Sequence, residues 1–130
     1  MRKKRVAILI SGRGSNMAAL VKAARAPDFP AEIVLVLSNR PEAAGLDFAR
    51  SESIPTALVP SKAYGKDRAA FDAAMQAELE RSGAEIVCLA GFMRLLTPEF
   101  CEGWAGRMIN IHPALLPSFK GLDTHARALE

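Results

Sequence analysis

The sequence predicts an α/β fold built on a doubly wound, mostly parallel sheet. Two observations predict it. Five apolar runs of strand length alternate with segments of helical character along the 130 residues, an order that gives parallel strands joined by right-handed crossovers. The first, second and fourth runs are continuously apolar, the pattern of strands covered on both faces.

The runs are Val6-Ala7-Ile8-Leu9-Ile10, Ile33-Val34-Leu35-Val36-Leu37, a weaker Thr56-Ala57-Leu58-Val59, Ile86-Val87-Cys88-Leu89 and a short Met108-Ile109-Asn110-Ile111. Between the first two, Met17, Leu20, Val21 and Ala24 fall on one helical stripe. Pro41-Glu42 is expected to open a second helix, because proline suits a first turn. A third helix is expected from about Asp67 to Ser82, with Phe71, Met75 and Leu79 as its buried stripe and Gly83 as its stop. Thr97-Pro98-Glu99 reads as cap, first turn and acidic residue of a short helix. A last helix is expected near Thr124.

Half the residues are hydrophobic and 24% are charged, which excludes a disordered chain and fits one domain over residues 1–130. The net charge is +3. The run Arg2-Lys3-Lys4-Arg5 reads as a solvated end before a strand. One Trp and one Tyr supply no stacking platform for a single strand, so no nucleic-acid partner is expected. No apolar stretch is long enough to span a membrane. Cys88 lies in an apolar run and reads as a buried small hydrophobe. The two cysteines and two histidines show no metal-ligand spacing, so no metal is expected. Reduced thiols and no signal peptide point to the cytoplasm as the expected compartment.

In a doubly wound sheet, ligands bind outside the carboxyl ends of the strands. Two segments there carry chemistry. After the first strand, Ser11-Gly12-Arg13-Gly14-Ser15-Asn16 leads into a helix. Glycines allow close backbone approach, and the helix N-terminus offers free N–H groups, so a phosphate is the natural occupant. A dinucleotide site is the rival, but Met17 stands where its third Gly belongs and Ser38-Asn39-Arg40 supplies no ribose acid. Arg40 would tolerate the extra phosphate of NADP, so an NADP-dependent reductase domain stays open. The segment is not a Walker loop. After the fifth strand, Asn110 and His112 project to one face, and Pro113 favours an extended His112. The histidine can carry a proton near neutral pH, and the Asn amide can stabilise an oxygen gaining charge. Gly91 to Leu96 follow the fourth strand and suit a flat heteroaromatic ligand as well as ordinary packing. Arg68, at the start of the third helix, lies on the carboxyl-edge side, where it could bind a carboxylate or stand as an ordinary solvated charge.

Ile10 to Asn16, Leu89-Ala90-Gly91-Phe92-Met93-Arg94-Leu95-Leu96 and Asn110-Ile111-His112-Pro113-Ala114-Leu115-Leu116-Pro117 together closely resemble the phosphoribosylglycinamide formyltransferase family, the folate-dependent transformylases of purine synthesis. The resemblance runs from Val6 to the last residue. It implies a Rossmann-like formyltransferase fold and formyl transfer from the co-substrate 10-formyltetrahydrofolate to the amine of glycinamide ribonucleotide. It also implies roles. Gly14, Ser15 and Asn16 hold the ribonucleotide phosphate region. Met93, Arg94, Leu95 and Leu96 receive the pterin, and Arg68 meets the folate tail. Asn110 stabilises the formyl oxygen beside the co-substrate, and His112 shuttles the proton. Formyltetrahydrofolate hydrolase resembles the chain after the fifth strand, but has a second His where Pro113 stands and lacks the Gly-Ser-Asn loop. Methionyl-tRNA formyltransferase shares the later motif but differs in the first loop. A non-enzymatic nucleotide- or phosphate-binding module is the alternative of another class.

The family's third catalytic residue is an Asp in a downstream Asp-x-Gly-Pro-like segment, and none occurs here. The last residues look like the first turns of a helix. The expectation is therefore an N-terminal fragment lacking the family's C-terminal portion and inactive alone. Surface exposed by the shortening leaves room for self-association.

Overall fold

The computed structural model describes residues 3–12, 15–92 and 96–110. Five strands form one parallel sheet: β1 (Lys4–Ile10), β2 (Ala31–Ser38), β3 (Thr56–Leu58), β4 (Ile86–Leu89) and β5 (Met108–Asn110). Their order is β3-β2-β1-β4-β5. The helices are α1 (Ser15–Ala24), α2 (Ala44–Ser51), α3 (Arg68–Ser82) and α4 (Pro98–Gly103), with a 3-10 turn at Ser61–Ala63. The expected strands and the first four expected helices are present, and the expected helix near Thr124 lies outside the described residues.

Alternation along β1 divides the core into two layers. Val6, Ile8 and Ile10 pack with Met17, Leu20 and Val21 of α1 and Leu46 and Ala49 of α2. Ala7 and Leu9 face the other way, onto Phe71, Met75 and Leu79 of α3, Phe100 of α4 and Trp104 at its end. Successive strand residues point to opposite faces, so a continuous apolar run feeds both layers at once. Each large side chain fully withdrawn from water contributes roughly 1.5–3 kcal/mol.

The helix ends follow their residues. Asp67 caps α3, its carboxylate accepting the Ala70 N–H at 3.0 Å. Gly83 ends α3 with φ +76°, a left-handed conformation that favours glycine. Thr97 caps α4, its hydroxyl oxygen accepting the Phe100 N–H at 3.2 Å, and Pro98 follows in the first turn.

Two expectations are corrected. The second helix begins at Ala44, not at Pro41-Glu42. The Ser38 hydroxyl accepts the Arg40 N–H at 3.0 Å and donates to the Arg40 carbonyl at 2.9 Å, so the chain is still turning there. The Ala43 N–H then donates to the same carbonyl at 3.3 Å, and helical geometry starts only after that turn. Arg5 is not a solvated end. Its Nε–H donates to the Gly83 carbonyl at 2.7 Å, capping the C-terminus of α3, and its backbone N–H donates to Glu85 at 3.0 Å.

Candidate functional site

The register sets the depth at which each strand delivers its loop. Ala57, Leu37, Leu9, Leu89 and Asn110 lie level across the five strands. The order reverses between β1 and β4, since the chain moves outward from β1 to β2 and β3 and then crosses back to β4. This is the switch point at which an open α/β sheet forms its binding crevice. The loop after β1 leads into α1 on one layer, and the loop after β4 leads toward α4 on the other.

On the α1 side, the start of the glycine loop is held by a buried polar cluster. The Ser11 hydroxyl donates to Asn39 Oδ1 at 2.5 Å, and Asn39 Nδ2 donates to the Ser61 hydroxyl at 3.3 Å. The Ser61 N–H donates to the Asn39 carbonyl at 3.1 Å. Ser11 and Asn39 are both buried, so these bonds form away from competing water and their loss is costly. The Gly45 N–H of α2 donates to the Gly12 carbonyl at 3.1 Å, pinning the next residue. Ser15 and Asn16 then open α1, where the first-turn N–H groups and the helix dipole favour an anion. Asn39 spends its side chain on Ser11 and Ser61, which further weakens the dinucleotide rival: the end of β2 presents no ribose-binding acid.

On the α3 side, Arg68 is the first residue of α3 and is exposed. Gly91, at φ +74°, turns the chain out of β4. Phe92 and Leu96 are half-buried against the α3–α4 layer, and the Phe92 ring stacks on Phe71 at 6.5 Å and 18°. Asn110 ends β5. Met108 packs on the α3 layer and Ile109 on the α1 layer, so alternation directs Asn110 toward the α3 side. Strands lie about 4.8 Å apart, so Asn110 stands about 10 Å from β1, with β4 between.

The structure thus places Ser15 and Asn16 at one side of the switch point, and Arg68, Leu96 and Asn110 at the other. Gly14, Met93, Arg94, Leu95 and His112 lie outside the described residues. Among the described residues, no group of three His, Cys, Asp or Glu is arranged to hold a metal, and no helix is long and apolar enough to cross a membrane. Cys88 is buried as expected, and that burial raises its thiol pKa from 9.0 to about 12. Cys101 is exposed, with its pKa raised by partial desolvation and then by the charge of Asp72.

Residues 4–130 match the model of the formyl transferase family, and the chain belongs to that family. It is 52% identical over 129 residues to the trifunctional purine biosynthetic protein adenosine-3 of Bos taurus, covering 99% of this chain and 13% of that one. It is 39% identical over 127 residues to the phosphoribosylglycinamide formyltransferase of Haemophilus influenzae, covering 98% of this chain and 59% of that protein. The crystal structure of phosphoribosylglycinamide formyltransferase from Brucella melitensis superposes with a TM-score of 0.82 at 49% identity, covering 98% of this chain and 66% of that one. The chain therefore spans about 60% of the length of the Haemophilus protein. The Rossmann-like formyltransferase fold expected from the sequence is the fold observed.

Proposed function

We propose that the protein carrying this chain transfers the formyl group of 10-formyltetrahydrofolate to the amine of glycinamide ribonucleotide, a cytoplasmic step of purine synthesis. The position of Asn110 carries the reading. It ends β5 on the layer that holds Arg68, Phe92 and Leu96, across the switch point from the anion-favouring start of α1. The names of the relatives, which are formyltransferases of this substrate, support the same chemistry.

In the proposed reaction, the phosphate of the ribonucleotide rests at Gly14, Ser15 and Asn16, and its amine reaches the formyl carbon. Arg68 engages the folate tail, and Met93 to Leu96 receive the pterin. The amine lone pair forms a bond to the formyl carbon, and the formyl oxygen takes the displaced electron pair. The Asn110 amide donates a hydrogen bond to that oxygen, a stabilisation worth about 100- to 1000-fold in rate for one such donor. His112 carries the proton from the attacking amine to the folate nitrogen. The bond between that nitrogen and the formyl carbon breaks, leaving an N-formyl amide and tetrahydrofolate.

The test is turnover of the full-length protein with both substrates, with tetrahydrofolate and formylated ribonucleotide quantified together. Equal formation of the two, reduced about 100- to 1000-fold in kcat by Asn110→Ala, supports the reading. Tetrahydrofolate and formate released without ribonucleotide would make water the acceptor and the protein a formyltetrahydrofolate hydrolase. Ribonucleotide binding with no folate dependence and no turnover would leave a nucleotide-binding module.

A further inference from the structure

Asp72 is the one buried charged residue among the described ones, and the proposed reaction gives it no task. It lies in α3 beside the apolar stripe of Phe71, Met75 and Leu79, rather than on it. Asp72 Oδ2 accepts the Thr97 N–H at 2.7 Å. Oδ1 is buried and has no hydrogen-bond partner among the described residues. Taking a carboxylate out of water costs free energy that a single backbone donor offsets only in part, and an apolar side chain would fill the same space without that cost. What the carboxylate provides is a short, charge-assisted bond to one atom, and that atom belongs to the chain between β4 and α4.

The neighbouring residue does the same at the other end of that segment. Phe71 stacks on Phe92. Adjacent residues of α3 thus fix Phe92 and Thr97, the two ends of the segment that carries Met93 to Leu96. Close packing does not fix them by itself. Ala69, Ala73 and Gly103 leave a groove of about 400 Å³ between α3 and α4, with Asp72, Thr97 and Phe100 also lining it. The other polar tie between these elements, Trp104 Nε1–H to Gln76 Oε1 at 2.9 Å, lies beyond the far end of α4. Arg68 precedes Phe71 and Asp72 by three and four residues, which places all three on one side of the helix.

We propose that Asp72 is a positioning residue for the folate co-substrate: its carboxylate holds Thr97, and with it the adjoining Leu96, at a set distance from Arg68. The inference rests on the proposed folate site. α3 then links Arg68, proposed to meet the folate tail, to Leu96, proposed to help receive the ring, and Asp72 sets the spacing without touching the folate.

The experiment measures binding of tetrahydrofolate and, separately, of glycinamide ribonucleotide to the full-length protein. Asp72→Ala is expected to raise the tetrahydrofolate Kd about tenfold, the loss of one charge-assisted bond, with the ribonucleotide Kd changed less than about twofold. Asp72→Asn keeps the shape and a neutral acceptor, and should restore most of the affinity. Thr97→Pro removes the N–H at a backbone φ of −71°, which proline accepts. Compared with Thr97→Ala, which removes only the capping hydroxyl, it should reproduce the effect of Asp72→Ala if that variant does not fold. Unchanged tetrahydrofolate binding in Asp72→Ala, or equal loss for both ligands, overturns the inference while the function stands. Wild-type protein that binds no tetrahydrofolate overturns both.

Discussion

The cluster behind the glycine loop offers a quantitative test of how that loop is held. Ser11→Ala removes the hydroxyl that donates to Asn39 Oδ1 at 2.5 Å and leaves that oxygen buried. A buried acceptor stripped of its donor costs about 1–3 kcal/mol, and we take about 1.5 kcal/mol here, because Asn39 keeps its bond to Ser61. Asn39→Ala removes both side-chain bonds and the volume of a buried amide, for about 3 kcal/mol. If the two residues acted independently, the double variant would lose about 4.5 kcal/mol; the shared bond can be lost only once, so the expected loss is about 3–3.5 kcal/mol, a coupling of about 1–1.5 kcal/mol. Equilibrium urea unfolding of the four proteins measures this, provided the midpoint moves while the slope stays constant. The same variants should weaken binding of glycinamide ribonucleotide more than of tetrahydrofolate, because Ser11 leads into the α1 side of the crevice. Additivity within about 0.3 kcal/mol would show that the bond does not couple the two strand ends, and equal weakening for both ligands would remove the link to the proposed phosphate site.

Three further outcomes are expected. Arg68→Ala should raise the KM for 10-formyltetrahydrofolate about tenfold while kcat changes little, because the exposed arginine is proposed to meet the tail and not the reacting carbon; a fall in kcat at saturating folate would contradict that assignment. Gly83→Ala should destabilise the fold by about 1–2 kcal/mol in thermal or urea unfolding, since the residue sits at φ +76° and a Cβ would stand 3.3 Å from Arg5 Nε; an unchanged midpoint would refute the strain argument. The Cys88 thiol titrates at 9.0 when exposed and at about 12 when folded. The unfolded chain therefore loses this proton first as pH rises. Its contribution to stability is full below pH 9 and is lost between about pH 9 and 12, at no more than about 1.4 kcal/mol per pH unit. Cys88→Ala should flatten that part of the pH–stability curve, and an unchanged slope would assign it to other groups.

The strands were legible because the central stretches of β1, β2 and β4 are packed by both layers, so successive residues there are apolar and the run declares itself. The ends of α3 and α4 were legible because Asp67, Gly83 and Thr97 act on atoms only a few residues away. What sequence reasoning missed depends on distance along the chain. Arg5 reads as a surface charge until the sheet brings residue 83 beside it. Asn39 was weighed only as a substitute for a ribose acid, since its partner Ser11 lies 28 positions away. Asp72 escaped because a search for an apolar stripe passes over a carboxylate beside it, and Thr97 is 25 positions further on. Its one available signal was a charged residue in the register position next to Phe71. The start of α2 was misplaced because Pro41 is compatible with a first turn, while the Ser38 bonds that delay the helix are not visible in residue spacing.

The two layers also bear on the proposed transfer between two ligands. The chain leaves β1 toward α1 and leaves β4 toward α4, on opposite faces, so a ligand held at the start of α1 and a ligand held against α3 approach each other only past the ends of β1, β4 and β5. A binding module needs one of these sides. A transferase needs both, because holding two reactants in one orientation replaces a bimolecular encounter with an effectively unimolecular step. Asn110 stands level with Leu89 on the α3 side, where, in the proposed reaction, a carbonyl carried by the second ligand meets the first. The charge that develops on that carbonyl oxygen arises only when both ligands are present, so a group placed to stabilise it contributes to the reaction and not to the binding of either ligand alone. Asn110→Ala should accordingly leave both binding constants near wild type and lower kcat, a separation that neither the proposed phosphate site nor the Asp72–Thr97 tie can produce.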